Sequence, residues 1–122
     1  MLNLIRAGLV AMLALQLAWH GLMPPPRSAL GWSAFAIAVL PLLALLPGAW
    51  RGRPTPLFWA NLLCLAYFCH GVSEAWTTPP MRLWALAEVA LATFIVSVYG
   101  AFGLASRRAA RRAAIVAPDV SR

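Results

Sequence analysis

Lysine is absent from this 122-residue chain, the acidic residues are only Glu74, Glu88 and Asp119, and cysteine occurs only as Cys64 and Cys69. Two cysteines exclude a cysteine-rich metal or redox framework. They also lie five apart in one apolar stretch, which turns them about 140° from each other on a helix and prevents their pairing. The expectation is therefore two small buried apolar side chains. No nucleophile is accompanied by a base, no glycine-rich loop offers amides to a phosphate, and no nucleic-acid-binding motif occurs, so chemistry of the soluble-enzyme kind has no foothold. With 62% hydrophobic and 11% charged residues and a mean hydropathy of +0.77, the chain has no room for a separate soluble domain.

What fills the chain is apolar sequence. Four stretches, Leu2 to Met23, Ala29 to Trp50, Thr55 to Trp76 and Met81 to Leu104, are each long enough to cross a bilayer. A hydrocarbon core of about 30 Å takes roughly 20 helical residues. The pattern predicts an all-α protein, a four-transmembrane-helix antiparallel bundle, with residues 1–105 as the membrane domain and 106–122 as a basic cytoplasmic tail. The first stretch reads as a retained helix rather than a signal peptide, because Ala18-Trp19-His20 lacks a small-x-small cleavage pattern and the run is too long. Pro24, Pro25 and Pro26, and then Pro79 and Pro80, predict two short stiff turns at one end, which favours antiparallel neighbours. Pro41 and Pro47 fall inside the second helix, where each bends the helix and leaves a carbonyl for a neighbour or water to satisfy. Small residues recur at four-residue spacing (Ala7, Ala11; Ala14, Ala18; Ala34, Ala38), which allows close helix approach.

The net charge of +7 rests on ten arginines, and their placement carries the information. Arg51 and Arg53 separate helices two and three, and Arg107, Arg108, Arg111 and Arg112 follow helix four, whereas Arg27 and Arg82 alone mark the other two loops. The positive-inside rule then places both termini in the cytoplasm, N-in and C-in, and Arg6 agrees. A juxtamembrane cluster of this kind suits topology and anionic lipid headgroups rather than nucleic acid. From Ser106 to Pro118 a solvated tail is expected, with a short basic helical extension as the alternative. Trp19, Trp32, Trp50, Trp59, Trp76 and Trp84 fall mostly near helix ends, where an indole prefers the headgroup boundary.

Ionisable groups inside lipid are costly, so the few present are the candidates for function. Gln16 and His20 are four apart on helix one, Tyr67, His70 and Glu74 follow an i, i+3, i+7 stripe on helix three, and Glu88 lies on helix four. At about 1.5 Å per residue, His20 is about 5 Å from its outer helix end and His70, Glu74 and Glu88 about 10 Å or less from theirs. Facing inward, they would form an interhelical network in which His70 pairs with Glu74 or Glu88 and His20 with Gln16. Three sharper readings use the same groups. His20, His70, Glu74 and Glu88 match the imidazole and carboxylate donors of Zn, Mn or Fe, without a short ligand motif to support them. His20 and His70 also match in depth as axial haem ligands, with Arg27 and Arg82 near the propionates. A proton or cation relay with helix two as its moving wall is the third. No cofactor is expected. Asn61, on the face of helix three opposite His70, is expected to bond a neighbouring helix.

The segments Ala14 to His20, Pro41 to Gly48, Trp59-Ala60, Tyr67-Phe68-Cys69-His70-Gly71-Val72 and Glu74-Ala75-Trp76, followed by Glu88, resemble a family of small proteobacterial inner-membrane proteins, domain-of-unknown-function family 2069. The resemblance runs to Ser106 and rests on the order Trp-His, Tyr-Phe-x-His-Gly and the helix-four Glu. It implies four helices in a bacterial inner membrane, no particular activity, and His20, Tyr67, His70, Glu74 and Glu88 as site residues. The expectation is a small multi-pass accessory or scaffold protein, not an enzyme. Its partners would be membrane lipids, a membrane protein or a second copy of the chain, with no nucleic acid. The alternative is a minimal transporter, channel subunit or proton relay, and a metal- or haem-binding membrane protein ranks third.

Overall fold

A computed structural model describes residues 1–23 and 27–116. Four helices, α1 (Leu2–Leu22), α2 (Ala29–Trp50), α3 (Pro54–Thr77) and α4 (Arg82–Val116), are joined in chain order, with a 3₁₀ turn at Pro79–Met81 and no strand among the described residues. All four are long and apolar enough to cross a membrane, so the all-α, four-span architecture holds. The turn at Pro24–Pro26, and Pro118, Asp119 and the end of the tail, lie outside the described residues.

Local chemistry sets the helix ends. Ser28 caps α2 by accepting a hydrogen bond from the Gly31 amide at 3.1 Å. At the other end of α2, the Gly52 amide donates to the Ala49 carbonyl and the Arg53 amide to the Gly48 carbonyl. That pairing, with Gly52 at φ 71°, reverses the chain within three residues, as only glycine does without strain. Pro54 then opens α3, where its missing N–H costs nothing. Arg82 starts α4 and donates from Nε to the Ala75 carbonyl at 3.0 Å, placing a cation at the C-terminal end of α3.

Each helix packs on its neighbours in sequence, and α1 closes the ring on α4, with α3 and α4 the most extensively packed pair. The buried residues recur three and four apart: Ile5, Leu9, Met12, Gln16 and Trp19 on α1; Leu57, Ala60, Cys64, Tyr67 and Gly71 on α3. Ala85, Glu88, Ala92 and Ile95 continue the pattern on α4. This period puts the buried residues of each helix on one face, along which it packs on its neighbours. In the half nearest the 51–53 turn the core is apolar, built from Ile5, Leu9, Met12, Leu57, Ala60, Cys64, Ala92 and Ile95. Gln16 and Glu88, the buried polar residues among those described, lie in the opposite half.

Three expectations change. Helix four does not stop at Leu104; α4 runs unbroken through the arginine pairs to Val116, because Ala-rich sequence there contains no helix breaker. Trp19 is 5% exposed and faces the bundle interior rather than the headgroup boundary, unlike Trp32, Trp50 and Trp76. Cys69 is exposed on the outer surface, while Cys64 is buried as expected; both are free thiols.

Candidate functional site

Glu88 is the centre of the polar cluster. Its side chain is fully buried on α4 and accepts hydrogen bonds from two other helices, from Gln16 Nε2 on α1 at 2.5 Å and from His70 Nδ1 on α3 at 3.0 Å. One carboxylate thus ties α1, α3 and α4 together.

Gly71 makes room for this arrangement. A Cβ at that position would lie 2.9 Å from the Ala85 carbonyl oxygen and 3.0 Å from Glu88 Oε2, so only a glycine lets α3 approach α4 beside the carboxylate. The two imidazoles of His20 and His70 sit 5.6 Å apart between ring centres, and Trp19 packs on both, at 4.9 and 5.5 Å. His20 Nδ1 and Gln16 Oε1 are buried without a hydrogen-bond partner. On α2, Pro41 has no N–H for the Ile37 carbonyl, and in the same turn the Ala38 carbonyl accepts the Tyr67 hydroxyl at 2.6 Å.

Gln16, His20, Tyr67, His70 and Glu88 line one cavity of about 350 Å³ with Ala34, Ile37, Ala38, Leu63 and Ala66. Its polar groups come from α1, α3 and α4, and its apolar wall from α2 and α3. Ile37 is 72% exposed and Ala66 is also on the outer surface, so the cavity opens sideways, toward the bilayer. The His70 side chain is 43% exposed while that of Glu88 is inaccessible, so the carboxylate is reached past the histidine. With Nδ1 turned to Glu88, Nε2 is the His70 ring atom left for a ligand.

Five of the six cluster residues read from the sequence therefore meet. Glu74 does not; it is partly buried, outside the cavity lining, and its side chain makes no hydrogen bond or ion pair among the described residues. Glu88 takes both partners of the expected network, since Gln16 bonds Glu88 rather than His20, and His70 bonds Glu88 rather than Glu74. Asn61 makes no bond to a neighbouring helix, and its Oδ1 is buried unpaired. Among the described residues no group of three or more His, Cys, Asp and Glu side chains is arranged to hold a metal ion. The two carboxylate oxygens of Glu88 are already engaged, which leaves two imidazoles. A haem between those imidazoles would also have to displace Trp19, which packs on both. Arg51, Arg53, Arg107, Arg108, Arg111 and Arg112 are all exposed at the other end of the bundle, far from this site.

Sequence reading missed Trp19 and Gly71 as parts of the site, and placed helix two as a wall only within the relay reading. The one available signal was adjacency, since Trp19 precedes His20 and Gly71 follows His70.

Four apolar helices around a buried interhelical carboxylate define a small multi-span membrane protein. The chain belongs to the family described as predicted membrane protein (DUF2069), whose model matches residues 4–106. Neither a curated protein nor a solved structure matches it.

Proposed function

We propose that this protein is a non-catalytic accessory protein of the bacterial inner membrane that holds a neutral, hydroxyl-bearing lipid in the cavity between α1, α2 and α3. The observation that carries this reading is the cavity's division into an apolar, membrane-facing mouth and a small polar floor. Such a division fits an amphiphile entering sideways from the bilayer, with its chain against Ile37, Leu63 and Ala66 and its head at His20 and His70. Gln16 Oε1 is a buried acceptor without a partner, which favours a head that donates an O–H. Glu88 disfavours a phosphate in the same place by like-charge repulsion and desolvation. The orientation that accompanies this reading is N-in and C-in, supported by Arg6, the 51–53 turn and the α4 arginines sharing one end; the cavity then lies in the outer leaflet.

A proton relay is the weaker reading. It needs polar carriers through the whole bundle, and the half beyond Gln16 and Glu88 has an apolar core. Diacylglycerol and phosphatidic acid with the same acyl chains separate the possibilities in a binding assay on detergent-solubilised protein. The reading expects diacylglycerol to bind and a His70→Phe variant to lose it. Binding of neither lipid, or proton flux in liposomes that Glu88→Gln abolishes, overturns it.

A further inference from the structure

A second cavity lies at the opposite end of the bundle, on the outer face of α1. It encloses about 500 Å³ and is walled by Ala7, Val10, Ala11, Ala14 and Trp50, with Asn3 and Arg6 at the end nearest the 51–53 turn. The Arg6 guanidinium carbon stands 5.6 Å from the Trp50 ring centre, and Nη1 donates to Asn3 Oδ1 at 2.9 Å. Arg6 Nε is buried with no hydrogen-bond partner. A cation held over an indole with an unused donor lacks an anion.

No described residue supplies one there. Glu74 and Glu88 are the described acidic residues, and both belong to the other half; the one ion pair among the described residues joins His70 to Glu88. Arg51, Arg53 and Arg107 add positive charge at the same end. The counter-charge that no described residue supplies is present at this depth in the membrane, where phospholipid headgroups meet the hydrocarbon.

We propose that this groove seats an anionic glycerophospholipid, with its phosphodiester on Arg6 and one acyl chain lying along Ala7, Ala11 and Ala14. Arg6 follows the headgroup boundary by extending its long side chain, and Trp50 marks that boundary. The alanines leave an open channel where larger side chains would fill it. Ordinary attraction of anionic lipid to a basic surface would be spread over all the arginines, whereas this site depends on one.

Native mass spectrometry of the whole protein, loaded with phosphatidylglycerol or with phosphatidylcholine of the same chains, tests the assignment. One phosphatidylglycerol per chain should be retained at least tenfold more tightly than phosphatidylcholine. Arg6→Gln should weaken it about tenfold, the loss expected of one charge-assisted hydrogen bond. Arg6→Lys should give an intermediate loss, and Ala11→Leu should displace both lipids. Arg112→Gln, on the exposed end of α4, should retain the lipid, and inorganic phosphate should not compete. Equal retention of the two lipids, or equal losses in Arg6→Gln and Arg112→Gln, overturns the proposal, as does a dimer that occupies this face and disappears with Ala11→Leu. Unchanged thermal midpoints in Arg6→Gln and Arg6→Lys keep a folding defect apart from a lost lipid.

Discussion

Replacing Gly71 by alanine probes the closest approach of α3 to α4, beside the polar cluster. The added methyl would meet the Ala85 carbonyl oxygen at 2.9 Å, Val89 Cγ2 at 2.9 Å and Glu88 Oε2 at 3.0 Å, where ordinary contact begins near 3.4 Å. Side chains can turn away, but the carbonyl is part of the α4 backbone, so the two helices must part by about half an ångström. That movement pulls His70 from Glu88, because His70 is the adjacent residue on α3. Overpacking of this kind costs about 1–3 kcal/mol. Alanine also favours a helix over glycine by roughly 1 kcal/mol, which would mask part of the loss. Gly103 supplies the control, since a methyl there meets nothing within 4 Å. The propensity gain is common to both substitutions and cancels between them. Gly71→Ala is therefore expected to be about 1–3 kcal/mol less stable than Gly103→Ala. Unfolding in mixed detergent and dodecyl sulfate, followed by tryptophan fluorescence, measures the difference. Equal stability of the two variants would refute the close packing at Gly71.

Three other outcomes are expected. A double-mutant cycle of Gln16→Leu and Glu88→Leu should give a coupling energy of about 0.5–2 kcal/mol in the same unfolding assay, and additivity would mean that the bond between them contributes nothing. Tyr67→Phe, which removes only the donor to the Ala38 carbonyl, should lower stability by about 0.5–1.5 kcal/mol. A reporter active only in the periplasm should stay silent when fused after Arg122, and strong activity there would reverse the N-in, C-in orientation.

The helices were legible because a membrane span is specified by length and apolarity, and the bounds of α2 read from sequence match the structure. Which face of each helix is buried was not legible. In lipid the outer surface is as apolar as the core: Leu30, Ile37 and Leu83 are more than 70% exposed, while Leu9 and Leu42 are almost wholly buried. Hydrophobic periodicity therefore says little, and the informative residues are the polar and small ones. Gln16 and Glu88 announced an inward face by the cost of exposing them to lipid. Glu74 obeyed a different rule, since it sits one turn from the end of α3, where water and headgroups relieve a carboxylate. The stripe of Tyr67, His70 and Glu74 ran along one face, but only its deeper part reached the cavity. The helical tail was hidden by a similar ambiguity: alternating Arg and Ala pairs are as soluble as a coil, yet alanine and arginine are both strong helix formers.

The distribution of burial also indicates which wall of the cavity can move. Glu88 clamps α1, α3 and α4, so separating any of these three exposes or unpairs a buried carboxylate. On α2 the buried residues are Val39, Leu42 and Ala49, all from Val39 onward. The preceding segment, from Ala29 to Ala38, buries no residue fully and is held to α3 by the Tyr67 hydroxyl. That bond is worth about 1 kcal/mol, and the exposed side of the segment already faces lipid. Displacing the outer half of α2 breaks that bond but leaves the Glu88 clamp intact, and Pro41 stands at the junction, where the helix lacks a backbone hydrogen bond and bends most easily. On the lipid-binding reading proposed above, a lipid would enter between α2 and α3, with the polar floor held by the clamp while the apolar wall gives way.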